Sequence, residues 1–138
     1  MAKTFTAPFA QTPRTATAVV TAAAGALTTD SPTGVVELLT AGADGAILTR
    51  LTAMPRATVT ASSLVLYLSS DGGTTKRLID SALMPAQTIS TTAQIASTTV
   101  GSYSEIVPLR LGAGDRLYVG SQVALAGGIV FRAEYTDY

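Results

Sequence analysis

The stretch from Leu64 to Ile79 constrains this chain more than any other. Leu64, Leu66 and Leu68 alternate with Val65 and Tyr67, and a pleated strand sends such alternating residues to opposite faces. Asp71-Gly72-Gly73 follows, three residues that tolerate the positive φ a tight hairpin connection requires. The chain then resumes with Thr75, Arg77 and Ile79 on one face and Lys76, Leu78 and Asp80 on the other. Period-two alternation on both sides of a glycine turn predicts a β-hairpin.

The rest of the chain reads in the same way. Residues 15–24 are rich in Thr and Val, which favours a strand over a helix despite the alanines. Short strands are predicted over 35–39, 46–54, 115–123 and 129–135. They are separated by turns at Asp30-Ser31-Pro32-Thr33-Gly34, at Ala41-Gly42-Ala43-Asp44-Gly45, at Gly112-Ala113-Gly114 and at Ala126-Gly127-Gly128. In the strand 46–54, Ile47, Thr49, Leu51 and Ala53 are expected on one face. Residues 86–104, rich in Thr, Ser and Gln, read as a long loop with one short strand. Residues 105–111 read as a strand interrupted by Pro108. Eight or nine short strands with frequent turns and no helical pattern predict an all-β fold. The best fit is a jelly-roll-like antiparallel β-sandwich with an extended N-terminal arm.

Length and composition set the outer bounds. The 138 residues suit a single β-sandwich domain at 15–138, preceded by an arm at 1–14 that Pro8 and Pro13 hold extended. An arm of that length reaches about 45 Å. It carries Phe5 and Phe9, two of the three phenylalanines. Charged residues are only 13% of the chain while Ala and Thr make up about a third, which suits a surface covered by neighbours. Nine basic and nine acidic residues cancel, so no basic patch is expected to hold nucleic acid or an anionic membrane. Without Cys there is no disulfide framework, and without His the usual general base is missing. The alanines at 16–26 imitate the small-residue end of a secretory leader, but Pro13, Arg14 and the threonines interrupt any apolar core. No run approaches the ~18 apolar residues of a membrane-spanning helix.

Candidate chemistry is sparse. Nothing in the spacing of the nine acids selects a catalytic carboxylate pair, and no catalytic residue, cofactor or metal ligand is assigned. Asp44-Gly45 and Asp71-Gly72 are expected at one end of the strands and Asp115 at the other. Turn formation explains each of them better than calcium does. Sugar recognition on a sandwich needs exposed aromatic platforms. The chain has no Trp, and Tyr67 and Tyr118 lie within predicted strands as packing residues. Tyr103, Tyr135 and Tyr138 are placed to touch a partner.

Several segments resemble the jelly-roll cement and decoration proteins of tailed-phage capsids. They are the arm Met1-Ala2-Lys3-Thr4-Phe5-Thr6-Ala7-Pro8-Phe9, the run from Leu64 to Gly73, and Pro108-Leu109-Arg110-Leu111 followed by Gly114-Asp115-Arg116-Leu117-Tyr118-Val119. The resemblance implies a non-enzymatic virion protein on the outer capsid surface. It implies a homo-oligomer, expected to be a dimer, that clamps neighbouring major capsid protein subunits and stabilises the expanded shell. Phe5, Phe9 and Tyr138 are then the candidate partner-binding residues. A carbohydrate-binding jelly-roll domain, of tail-fibre or lectin type, is the alternative. A secreted adhesin or coat subunit of bacterial origin is a third reading.

Overall fold

The computed structural model describes residues 12–138. Nine strands follow in order: β1 (Thr12–Val20), β2 (Val36–Thr40), β3 (Ala46–Pro55), β4 (Ser62–Ser69), β5 (Arg77–Met84), β6 (Thr98–Thr99), β7 (Leu109–Leu111), β8 (Arg116–Ser121) and β9 (Ile129–Asp137). Among the described residues there is no helix. A front sheet has the order β1-β9-β3-β6, with β7 also on β3, and a back sheet the order β2-β8-β4-β5. All pairings between strands are antiparallel. The two sheets pack face to face as a β-sandwich, in agreement with the all-β expectation.

The pairing has a simple logic. β1 lies on β9, β2 on β8, β3 on β6 and β7, and β4 on β5. The first half of the chain is therefore laid along the second half as one long ribbon. The β4–β5 hairpin is the closed end of that ribbon. Its turn is tied by side chains: Ser69 Oγ donates to Asp71 Oδ1 at 2.9 Å, Gly73 N–H donates to Ser69 Oγ at 2.9 Å, and Thr75 N–H donates to Asp71 Oδ1 at 2.8 Å.

Between the sheets, alternation places Leu64 and Leu66 of β4 against Leu48, Leu51, Ile129 and Phe131 of the front sheet, all fully buried. Burial of one such side chain contributes roughly 1.5–3 kcal/mol. Leu68 packs at the edge of this core. Strict alternation fails in β3, where Leu48 and Leu51 both face inward. The register slips between Leu48 and Arg50, and Thr49 turns its hydroxyl to the Glu134 carbonyl at 3.0 Å. This bulge inserts one residue and reverses the faces expected for Ile47 and Thr49. A second register shift, between Leu66 and Tyr67, leaves Ile79 unpaired and changes the faces of β5 in the same way.

Two further expectations are corrected. Residues 105–107 are not strand: Ser104 N–H donates to the Val107 carbonyl and Val107 N–H to Ser104 Oγ, so β7 begins only after Pro108. And β6 and β7 run the same way along β3, as two pieces of one edge interrupted by residues 100–108. Counting them as two reversing strands inverts the parity of everything after them. In the fold, Arg116 stands opposite Ser69, so Asp115 lies at the same end as Asp71 and Asp44. Ala41 N–H confirms the closeness by donating to the Asp115 carbonyl at 2.7 Å.

The centre of the back sheet's outer face, on β4 and β8, is also buried, while Leu83 of β5 stays exposed on the same face. Residues 21–35 cross it, with Ala24 and Val35 packed on Val65, Tyr67 and Tyr118. The crossing is pinned at one end by Ala24 N–H on the Ser121 carbonyl at 2.7 Å. At the other end Lys76 N–H donates to the Asp30 carbonyl at 2.8 Å. Gly120 allows the close approach, since a Cβ there would stand only 3.0 Å from Val35 Cγ1.

Candidate interaction surface

The front sheet keeps an outer face, built by register, that is open over β1 and covered at Thr52 on β3. Three cross-strand rows run over β1, β9 and β3: Val19–Val130–Met54, Thr17–Arg132–Thr52 and Thr15–Glu134–Arg50. Each row exists because residues two apart on a strand share a face. The first row is apolar and partly open, with Val19 and Met54 about two-fifths exposed. Next to it lies a groove of about 540 Å³, lined by Met54, Val130, Ile95, Arg56, Arg132 and Thr17 among others. Ile95 reaches this face because Gln87 clasps the backbone of Ala96 from both sides, at 3.0 Å each. Arg56 is fixed on the rim by its Nε bond to the Gly127 carbonyl at 2.8 Å.

A shallower depression of about 280 Å³ lies at the other end of the same face, between Arg14, Thr15, Thr49, Glu105 and Glu134. The face thus runs from an apolar, guanidinium-rimmed groove to a mixed-charge patch. It offers methyl and thioether surface, hydroxyls and charges of both signs. Beside it, the 100–108 excursion presents Ile106 and Val107, 92% and 65% exposed.

Phe5 and Phe9 lie outside the described residues. Tyr138 is half-buried, and its N–H donates to the Gly45 carbonyl at 3.1 Å. Thr12 stands opposite Asp137, so the chain enters the sandwich beside Tyr138. Thr12, Pro13 and Arg14, assigned to the arm from the sequence, are the first three residues of β1. Their root is fixed by Arg14 Nε on Asp137 Oδ2 at 2.6 Å.

The remaining sequence candidates are engaged within the fold except Asp44, whose Oδ1 is buried without a hydrogen-bond partner. Asp71 carries the hairpin turn, and the Thr75 N–H holds its carboxyl below the usual range, helped by the Thr75 and Ser69 hydroxyls. Asp115 Oδ2 accepts the Gly112 N–H at 2.8 Å in its own turn. Tyr103 donates to Asp80 Oδ2 at 2.9 Å, and burial first, then this carboxylate, pushes its phenol up. Tyr135 is raised too, by burial and then by Asp137, with Arg14 opposing. Tyr67 and Tyr118 are buried under residues 21–35. The apolar row was missed from sequence because Val19, Met54 and Val130 come from three distant strands. The only local signal was the outward parity of Val130 and Arg132 in β9. No protein-family model matches this chain, and no curated protein or solved structure matches it either.

Proposed function

We propose that this protein is a structural virion protein. It binds the outer surface of an icosahedral phage capsid and clamps neighbouring major capsid subunits. The observation that carries the reading is the asymmetry of the sandwich. The centre of one outer face is covered by the chain's own residues 21–35, while the other carries the partly exposed Val19–Val130–Met54 row and a guanidinium-rimmed groove. The wrapped-ribbon strand order supports the jelly-roll form of the fold, and β1, which begins at Thr12, is the edge of the front sheet. Such a module holds its target by avidity: modest contacts repeated over a lattice give firm attachment. Binding only the expanded shell stabilises that state by linkage.

The test is to look for the protein on purified phage heads and count copies per major capsid subunit. A fixed stoichiometry supports the reading, with occupancy lost in Met54→Asp/Val130→Asp and in a deletion of residues 1–11. Protein that stays soluble and never bands with particles overturns it. The carbohydrate reading gains nothing from the groove, whose lining residues include no aromatic ring.

A further inference from the structure

A sandwich has four sheet edges, and three of them carry protection here against further pairing. An edge strand exposes a row of backbone N–H and C=O groups that can template pairing, and proteins blunt it with charges, bulges, prolines or brevity. β5 is broken by the register shift that skips Ile79 and carries Arg77 and Asp80, and Asp80 Oδ1 takes the N–H of Ser81 at 2.9 Å while its other oxygen holds Tyr103. The β2 edge is five residues long, is broken by a register shift between Glu37 and Leu39, and carries the Glu37–Arg116 pair at 3.3 Å. The third edge is the interrupted pair β6 and β7, two and three residues long.

β1 differs. It runs nine residues in unbroken register with β9, and among the described residues no strand lies on its other side. Its protective residues, Pro13 and Arg14, stand at its start, and Arg14 is turned to Asp137. From Thr15 to Val20 it has no charge, no proline and no bulge.

We propose that β1 pairs antiparallel with β1 of a second copy, joining the two front sheets into one. A two-fold axis normal to the sheet keeps outer faces on the same side, so opposed residues must share parity. Centred on Thr17, it sets Thr17 against the partner's Thr17 and Thr15 against the partner's Val19 on the outer face. On the inner face it sets Ala16 against the partner's Ala18. No like charges meet, the inner pair is small enough for close approach, and a Thr–Thr pair is a favourable cross-strand contact. The outer faces of the two front sheets become one continuous surface. This contact deepens the oligomer of the function proposed above, and its test uses purified protein without capsids, so the two readings fail separately.

Sedimentation velocity over a range of concentrations should show a reversible dimer for the full chain. Thr15→Lys/Thr17→Lys, which adds the charges an exposed edge normally carries, should weaken it by about tenfold or more with an unchanged circular dichroism spectrum. Because the chain has no cysteine, single replacements report proximity cleanly. Opposed antiparallel residues lie about 4.5–5.5 Å apart at Cα, within disulfide reach. Oxidation should therefore cross-link Thr17→Cys but not Leu83→Cys on β5. Deleting residues 1–11 should leave the dimer intact. A chain monomeric at every concentration overturns the proposal. So does a dimer that survives the lysine pair, or one that is lost with residues 1–11.

Discussion

Arg14 and Asp137 join the start of β1 to the end of β9 through a 2.6 Å contact between Nε and Oδ2. Asp137 is 8% exposed, and its second oxygen accepts the Gly42 N–H at 3.0 Å. One carboxylate thus ties the first strand, the last strand and the 41–45 turn. Asp137→Ala leaves that N–H without its acceptor and should cost about 2 kcal/mol. The solvent-exposed Glu37–Arg116 pair is the comparison, and Glu37→Ala should cost under about 1 kcal/mol. Urea titrations with a common slope measure both. Equal losses would show that burial does not separate the two pairs.

Gly72 and Gly73 both have positive φ, at 76° and 95°, but only one is crowded. A Cβ on Gly73 would lie 2.3 Å from the Tyr118 hydroxyl, whereas one on Gly72 meets nothing within 4 Å. Gly72→Ala should lose about 1 kcal/mol, the conformational cost alone. Gly73→Ala should lose more, about 2–3 kcal/mol, because the Tyr118 ring under Lys76 must also shift. Thermal unfolding of the two variants gives the order directly.

The Tyr67 hydroxyl is buried with no hydrogen-bond partner, and burial pushes its phenol up. Leaving such a group unpaired costs free energy that a phenylalanine does not. Tyr67→Phe is expected to be neutral or up to about 1 kcal/mol stabilising. A clear loss of stability in chemical denaturation would mean that the hydroxyl has a partner.

Alkaline stability should report on Tyr103. Its phenol is held above the ordinary value of 10.0, by burial and then by Asp80. The folded state therefore keeps its proton at pH values where the unfolded chain has lost it. The sign follows: the contribution is complete below pH 10 and is lost as pH rises from there toward the raised folded value. Tyr103→Phe should flatten the fall in stability above pH 10, as read by denaturant midpoints from pH 8 to 11.5. A slope identical to that of the parent chain would refute this assignment.

Much of the fold was legible because it depends on local rules. Alternation in 64–68 marked a core face, and Asp71-Gly72-Gly73 marked a turn that the structure builds from those residues. The same rules misplace faces where a single residue is inserted. At Thr49 a hydroxyl that can reach a neighbouring carbonyl sets the bulge, and that carbonyl belongs to Glu134, far along the chain. The misplaced end of Asp115 has the same root, since only the pairing with β3 reveals β6 and β7 as one broken edge.

By itself the sequence determined the strands, the turns, the lack of any cysteine or histidine chemistry and the hydrophobic face of the central hairpin. These follow from side-chain period and backbone freedom, which act over a few residues. The tertiary structure alone decided which faces remain open. Val65 and Tyr67 lie on the side of β4 opposite its leucines, and they are buried only because residues 21–35 close over them. Val19, Met54 and Val130 become a surface only when three strands align in register. Burial depends on what the rest of the chain brings across a face, and no local pattern encodes that.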